Sequence, residues 1–417
     1  MRLPLLRPLR EAPVALLWGG LLTSAIGDQL FVVVLSWIAV RSFGTAAGYL
    51  AVLQAGVQLA TALLAGRHAD GFRQRHVMVA ADLARAAILL LMVAAWLQAG
   101  DPPAWTLVAA VTVLAAGLAV FRPAMQASLP PLVADASLLP AANALLDTTE
   151  RIARLLGPGL VGVAGTMLPL VHFVTIDALT FLASAGAVLA IIRLRPGERR
   201  PPPRREGTLA SILRGFATVR RHALLFAVLC VTWAINGAWY AAFFLGLPLM
   251  ITRAGVQSPF PGGGLAAYGL VISAYGSTNG IATLVLGNRR QTRRPGRMIF
   301  AGDIFLGLGT AGLGVSALLL PPGQMLAGFM ASAAFAAIGG PMQDILVATL
   351  RQTELPAPDL PAAVRTFMAL ASAGVLLTLA MAPSVFDAIG VPQAVIGCGL
   401  ICAAIGIAGM ARFWHQA

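Results

Sequence analysis

The chain has 417 residues, of which 58% are hydrophobic and only 11% are charged. Soluble domains carry about 25% charged residues, so this chain has too few to cover a water-exposed surface. Its composition argues against a soluble globular domain, a disordered chain and a nucleic-acid-binding domain, and it predicts a polytopic membrane protein. All 29 basic residues are arginine, and the net charge is +13.

Twelve apolar segments are long enough to cross a bilayer, which takes about 20 mainly apolar residues. They lie near residues 15–40, 45–66, 77–99, 104–126, 144–168, 170–192, 223–250, 264–287, 298–320, 324–349, 363–386 and 391–411. We therefore predict an all-α integral membrane protein with twelve transmembrane helices. The basic start of the chain resembles a signal peptide, but the first apolar run continues to Val40, so we interpret it as an uncleaved span.

The arginines indicate the orientation in the membrane, because cytoplasmic loops carry an excess of basic residues. If residue 1 is cytoplasmic, 24 arginines, including Arg122, fall in cytoplasmic segments, and two, Arg41 and Arg253, fall in external loops. The remaining three lie within spans. This distribution predicts a multi-pass protein of the plasma (inner) membrane with both termini in the cytoplasm.

Weak internal repeats divide the chain into two halves of six spans. Gly66 and Gly287 open the loops after the second and eighth spans at an offset of 221 residues, and the sequence PAA recurs at the same offset. We predict six-helix pseudo-repeats at residues 1–194 and 222–417, joined by a basic cytoplasmic linker at 195–221. Secondary transporters use this architecture, with binding sites near the bilayer midplane.

The linker ends in an amphipathic segment, TLASILRGFATVRRH. Its arginines Arg214, Arg220 and Arg221 lie mostly off the apolar face of the predicted helix. That face is formed by Leu209, Ile212, Leu213, Phe216 and Val219. Such a pattern is typical of a helix that lies on an anionic cytoplasmic leaflet. An early start of the seventh span is the alternative interpretation.

Ionisable residues inside spans cost roughly 2.5–3.5 kcal/mol at the bilayer centre and therefore indicate functional sites. Asp28 lies near the middle of the first span, beside Gly27. It is the candidate for proton coupling or substrate contact, and a cap on a neighbouring helix or a pair with an arginine is the structural alternative. Asp177 is expected to make a helix-packing hydrogen bond, and Asp303 and Asp344 are expected to anchor loops.

Five charged residues of the third and fifth spans form a second candidate group. Asp82 and Arg85 are at i, i+3 and can pair on one helix face, in a gating or structural role. Glu150, Arg151 and Arg154 open the membrane part of the fifth span. They either join that charge network, or Arg151 reaches the cavity and meets an anionic substrate.

Seven further residues are candidates for lining a substrate cavity: Gln54, Gln58, Gln126, Trp233, Asn236, Tyr240 and Asn279. Three of them follow i, i+3, i+7 spacing on the seventh span, and this stripe could face an amphipathic substrate. A helix–helix hydrogen bond or ordinary packing is the alternative for each.

The sequence lacks the common catalytic and nucleotide-binding motifs. Without lysine there is no Walker A loop and no SxxK nucleophile, and neither HExxH nor GxSxG occurs. Five histidines are scattered at span ends, and Cys230, Cys398 and Cys402 lie in apolar stretches without a CxxC motif. GLGTAG matches GxGxxG inside an apolar span, where it predicts a helix-packing surface. We expect no enzyme activity, no cofactor and no bound metal.

The loop between the second and third spans has the sequence GRHADGFRQR. It resembles the loop signature of the major facilitator superfamily: Gly66 and Asp70 match, whereas Gly71 stands where the family usually has a basic residue. The second-half copy, GNRRQTRRPGR, lacks the aspartate. The resemblance implies that two loops latch the cytoplasmic side, residues 66–75, through Asp70 and Arg75, and residues 287–297.

The fifth span resembles the Gly-Pro motif of the superfamily's proton-driven exporters. Gly157, Pro158 and Gly162 match in RLLGPGLVG, and Val161 replaces a usual glycine. IGDQL, DLARA, NALLDTTERIARLLGPGLVG and IDALTFLASA look like the branch that contains the enterobactin exporter and macrolide efflux pumps. This resemblance implies a rocker-switch exporter driven by inward proton flow, with Asp28 at the position of the branch's acidic residue.

The expected function is a proton/substrate antiporter that exports a small amphipathic molecule, either a siderophore-like metabolite or a drug. Its partners would be that substrate, protons and the lipid bilayer, without nucleic acid, and the protein would act as a monomer. A lysolipid or lipid flippase on the same fold is one alternative. A non-transporting membrane scaffold or sensor is another.

Overall fold

The computed structural model describes residues 4–68, 74–133, 138, 142, 145, 146, 149, 153, 168–194, 208–260, 262–287, 294–356 and 359–414. Every regular element in these ranges is helical, as the sequence predicts. The α-helices are α1 (Ala12–Phe43), α2 (Gly48–His68), α3 (Gln74–Ala99), α4 (Ala104–Ser128), α5 (Leu170–Leu194), α6 (Thr208–Val219), α7 (Ala223–Tyr240), α8 (Leu247–Arg253), α9 (Gly263–Gly287), α10 (Pro295–Leu319), α11 (Pro322–Ala337), α12 (Gly339–Glu354), α13 (Leu360–Ile389) and α14 (Val391–Arg412).

Ten segments of the described chain are helical, long and apolar enough to cross a membrane. One of them, Ala12–Gln58, runs through α1, a 3-10 turn and the first half of α2. The helices follow the apolar segments predicted from the sequence, but most of the predicted fifth span, residues 144–168, lies outside the described residues. The chain is an all-helical integral membrane protein.

The chain forms two compact units. The first comprises Met1–Leu35 and Leu53–Arg204, and the second comprises Ser36–Val52 and Arg205–Ala417. One buried apolar core collects side chains from α1, α3, α4 and α5 in the first unit. Another, in the second unit, collects side chains from α7, α10, α12 and α13.

In the first unit, glycines on α1 allow this helix to approach α5 closely. A Cβ added at Gly20 would lie 3.1 Å from the Ala187 Cβ, and one added at Gly27 would lie 2.4 Å from the Thr180 Oγ1. Neither position therefore has room for a larger side chain. Small residues at a helix crossing permit close van der Waals packing of the backbones, which drives helix association in membranes.

In the second unit, the GLGTAG sequence of α10 forms the predicted helix-packing surface. A Cβ added at Gly307 would lie 2.4 Å from the Ala403 backbone nitrogen on α14. One added at Gly309 would lie 2.4 Å from the Ala336 backbone nitrogen on α11. The glycines therefore serve two helix–helix contacts on opposite sides of α10.

The seventh predicted span contains a π-helical turn, Ala241–Gly246, between α7 and α8. In this turn the backbone hydrogen bonds join residues five apart, as from Leu247 to Ala242. The next bond would join Pro248 to Phe243, but proline has no backbone N–H to donate to the Phe243 carbonyl. The hydroxyl of the buried Tyr268 on α9 donates to the carbonyl of Phe243 at 3.2 Å. A side chain from a neighbouring helix thus replaces the missing backbone hydrogen bond.

The tenth predicted span is interrupted at Ile338, between α11 and α12. Pro341 cannot donate to the carbonyl of Ala337, four residues before it. The Asn279 side chain on α9 donates to this carbonyl at 3.2 Å. Asn279 makes a helix–helix hydrogen bond here, and its role in lining a cavity stays a prediction.

Candidate functional site

A pocket of about 140 Å³ lies within the first unit. Polar side chains of α1 project into it from Ser24 and Asp28, which share a helix face at i, i+4. The other lining residues are Leu21, Ala25, Gln29, Arg85, Leu118, Phe121, Arg122, Met125, Leu146, Thr149 and Ala153. The pocket therefore combines apolar walls with charged groups of both signs.

Behind the pocket, α3 carries the ion pair that the i, i+3 spacing predicts. The Arg85 Nη2 lies 2.5 Å from the Asp82 Oδ1, and both side chains are buried, with 3% and 0% exposed. The Ser184 hydroxyl on α5 also hydrogen-bonds to Asp82. Charges this deeply buried require a close partner, because the cost of desolvation is otherwise several kcal/mol per ion. The gating role of this pair stays a prediction.

The Arg85 guanidinium also lies between two aromatic rings. Its Cζ is 4.7 Å from the ring centroid of Phe121 on α4 and 4.4 Å from that of Phe181 on α5. Contacts of this kind contribute about 2 kcal/mol when the cation is desolvated. Gly117 leaves space for the arginine, since a Cβ there would lie 2.8 Å from the Arg85 Cγ. Three helices therefore fix the position of one cation.

Asp177 is a second fully buried carboxylate, on α5 beside Gly27 of α1. The Thr180 hydroxyl lies 2.7 Å from the Asp177 carbonyl oxygen and 3.3 Å from its Oδ1. Its Oδ2 has no hydrogen-bond partner among the described residues. The expected hydrogen bond of Asp177 thus forms within α5 rather than between helices.

Asp28 connects these buried groups to the pocket. It is half-buried and lines the pocket, and it interacts electrostatically with both Asp82 and Asp177. Three carboxylates and the Arg85 guanidinium therefore share one region of low dielectric, where like charges repel strongly. Such a cluster can accept a proton or a cationic group of a ligand from the pocket.

Arg122 is a site residue that sequence reasoning missed. It had been counted with the cytoplasmic arginines, yet it lies inside the apolar helical segment Ala104–Gln126 and lines the pocket. Its position within a span, directly after Phe121, was the available signal, since a charge inside a span is costly. Gln29 and Thr149 also line the pocket and carried no comparable signal.

Several of the described site residues predicted from the first half do not line this pocket. Arg75 is buried at the start of α3, and Gln54, Gln58 and Gln126 are not among the residues that line the pocket. The remaining predictions lie outside the described residues: Asp70, Glu150, Arg151, Arg154, Gly157, Pro158 and Gly162. Their roles in a charge network or an exporter motif stay predictions.

The other predicted cavity residues belong to the second unit. Trp233 is 46% exposed, the Asn236 side chain donates to the Thr232 carbonyl of its own helix at 2.9 Å, and Tyr240 stacks on Phe244 at a centroid distance of 5.1 Å. Their role in substrate binding stays a prediction.

Asp303 contradicts the expectation that it anchors a loop. It lies within α10 and is 1% exposed, and neither carboxylate oxygen has a hydrogen-bond partner among the described residues. The expectation was wrong because the helix begins earlier than predicted, at Pro295, and this places Asp303 more than two turns inside it.

Comparison with known proteins identifies the family of this chain. The sequence matches the family model described as Major Facilitator Superfamily over residues 17–354. No curated protein matches the chain in sequence. An auto-inhibited POT family peptide transporter is similar in structure, with a TM-score of 0.70 and 13% identity over 97% of this chain and 97% of that chain.

Two other solved structures show the same similarity. A POT family transporter solved in meso has a TM-score of 0.68 and 12% identity, covering 98% of this chain and 99% of that chain. A bacterial metal transporter has a TM-score of 0.59 and 13% identity, covering 96% of this chain and 99% of that chain. At such low identity these structures show the fold alone, whereas the family model matches most of the sequence. The family match points to a secondary transporter, and the chain belongs to the major facilitator superfamily.

Proposed function

We propose that this protein is a proton-coupled exporter of a small amphipathic molecule and that it works by alternating access. The observation that carries the proposal is the position of Asp28, which lines the pocket and interacts with the buried Asp82 and Asp177. A proton or a cationic substrate group bound at Asp28 relieves the repulsion among these carboxylates. Because both would use one carboxylate, binding of one favours release of the other, which is the basis of antiport.

The lining of the pocket supports an amphipathic substrate. Apolar side chains of α4, at Leu118, Phe121 and Met125, face the same space as Asp28 and Arg122. Ligand sites of this kind place a few polar groups in an apolar wall, and the polar groups set orientation and specificity. At about 140 Å³ the pocket is smaller than the roughly 300–1,000 Å³ of drug-sized sites, so it would take the charged or polar group of a siderophore-like metabolite or a drug together with a part of its apolar body.

The proposed topology has twelve spans in two six-helix halves. The protein would lie in the plasma membrane, with both termini in the cytoplasm. The segment Ala12–Gln58 has 47 residues. At 1.5 Å per residue it would extend about 70 Å, more than twice the roughly 30 Å hydrocarbon core, and therefore supplies two crossings. Residues 144–168 supply a further apolar crossing in the sequence, and the distribution of arginines supports the orientation.

Transport by the reconstituted protein tests the proposal directly. Proteoliposomes with an imposed pH gradient are given a panel of siderophores, macrolides and lysolipids, and substrate movement is followed with and without the gradient. We expect gradient-driven substrate movement in the wild type. Its rate should fall at least tenfold in Asp28→Asn, because an amide does not bind and release a proton near neutral pH. Asp101→Asn, which changes an exposed carboxylate outside the helices, is the matched control.

Each contrary outcome removes a stated part of the proposal. Full gradient-driven transport by Asp28→Asn would show that Asp28 does not couple protons. Equal transport without a gradient would exclude an antiporter. Selective movement of lysolipids that ignores Asp28 would favour the flippase, and no movement of any panel member would favour a non-transporting sensor.

A further inference from the structure

Helix α6 (Thr208–Val219) has one face packed against α13. Ser211 and Val219 are completely buried, and a Cβ added at Gly215 would lie 2.3 Å from the Ala362 carbonyl oxygen. The face therefore fits closely against the first turn of α13. Val219 had been predicted on the lipid-facing side, and this part of the prediction is wrong because Val219 belongs to the packed side.

Hydrogen bonds and an ion pair hold α6 in this position. The Arg365 Nη1 donates to the Ser211 Oγ at 2.6 Å, and the Thr366 hydroxyl lies 2.9 Å from the Ile212 carbonyl oxygen. The Arg214 Nε is 3.9 Å from the Asp359 Oδ1. The orientation of the helix is therefore fixed by α13, which decides which side chains of α6 face outward.

The outward side of α6 carries three large apolar side chains in one strip. Leu209 is 70% exposed, Leu213 is 60% exposed and Phe216 is 36% exposed. They follow i, i+4, i+7 spacing, which places them on one side of a helix. We call these three residues the apolar strip. Its exposure in water would be unfavourable, by roughly 25 cal/mol for each Å² of apolar surface.

The ends of two membrane helices place the apolar strip at the surface of the bilayer. α6 packs on the start of the apolar segment Ala362–Ile389, and three residues separate its end from the next apolar segment, Ala223–Arg253. Arg220 and Arg221 are exposed in that short connection. If these two segments cross the bilayer as in the proposed topology, the strip lies at the level where lipid headgroups meet acyl chains, with two arginines beside it.

We propose that α6 is a binding site for anionic phospholipids, with the apolar strip inserted below the headgroups and Arg220 and Arg221 bound to the phosphates. Basic residues attract an anionic leaflet, and apolar side chains of an interfacial helix enter the headgroup boundary. Residues 193–221 contain nine arginines and two glutamates, so this part of the chain is complementary in charge to anionic lipid.

The depth of the apolar strip can be measured in the full-length protein. Cys230, Cys398 and Cys402 are replaced by alanine, and a nitroxide is attached to a single cysteine introduced at Leu213 or, as control, at the exposed Ala210, about 60° around the helix. In vesicles of phosphatidylcholine and phosphatidylglycerol, we expect the label at 213 to collide mainly with oxygen and the label at 210 mainly with a water-soluble nickel complex. A water-like label at 213 would overturn the proposal.

The charge requirement is tested by native mass spectrometry of bound lipid. Each basic residue near an anionic surface contributes about 1 kcal/mol, which is about fivefold in affinity. The double variant Arg220→Gln/Arg221→Gln should therefore lower retention of phosphatidylglycerol about 25-fold and leave retention of phosphatidylcholine unchanged. Arg253→Gln, at the other end of the same apolar segment, is the matched control. Equal retention of phosphatidylglycerol by the double variant and this control would overturn the role of the arginines. The melting temperature of each variant verifies that it is folded.

Discussion

Removal of the buried charge at Asp82 is expected to destabilise the first unit strongly. In Asp82→Asn, the Arg85 guanidinium loses a carboxylate at 2.5 Å but remains buried. Breaking a buried ion pair typically costs 3–5 kcal/mol, because the remaining charge is left desolvated. We expect about 3 kcal/mol, the low end of this range, since two aromatic rings and the electrostatic interaction with Asp177 still stabilise the cation.

The free energy of unfolding is measured by SDS titration of the protein in dodecylmaltoside micelles, with circular dichroism as the signal. The double variant Asp82→Asn/Arg85→Gln removes both charges, so it should cost less than the sum of the two single variants. Arg214→Ala breaks an ion pair with 44% and 30% exposed side chains and should cost less than about 1 kcal/mol. A cost below 1 kcal/mol for Asp82→Asn, or strict additivity in the double variant, would refute the reasoning.

Three further substitutions, two at glycines and one at a buried carboxylate, are measured by the same titration. Gly27→Ala should cost about 1–3 kcal/mol because its Cβ would lie 2.4 Å from the Thr180 Oγ1, whereas Gly56→Ala, with no atom within 4 Å, should be neutral or stabilising by up to about 1 kcal/mol. Equal effects at the two glycines would show that α1 can move away from α5. Asp303→Asn should lower the free energy of unfolding by no more than about 0.5 kcal/mol, because its carboxylate oxygens have no hydrogen-bond partner among the described residues to lose and an amide costs less to bury than a charged carboxylate. A larger loss would reveal an interaction that depends on the carboxyl group.

The helices were predictable from the sequence because each needs only local information. An apolar run of the right length predicts a span, and α3, α4, α5 and α14 begin and end within a few residues of the predicted segments. The Asp82–Arg85 pair was predictable for the same reason, since the i, i+3 spacing places both side chains on one face of a helix whatever surrounds it.

The environment of that pair was not predictable, because it depends on contacts between helices far apart in sequence. Phe121 and Phe181 approach Arg85 only when α4 and α5 have a particular rotation about their axes. Spans that are apolar all round do not reveal this rotation. The same limit explains why Gln29 and Thr149, which line the pocket, could not be selected from the sequence.

The arrangement of the cluster explains why Asp28 should be the group that responds to the pocket. Asp82 forms an ion pair with Arg85, and Asp177 is buried where Gly27 of α1 packs closely against Thr180 of α5. Asp28 carries an ionisable side chain into the pocket from the residue next to Gly27. A change of charge there alters the repulsion felt by the buried carboxylates, and the tight contact at Gly27 leaves α1 little freedom to respond without α5. Under the proposed mechanism, proton exchange at Asp28 would therefore move α1 and α5 together, which is how one carboxyl group could change the shape of a pocket between helices.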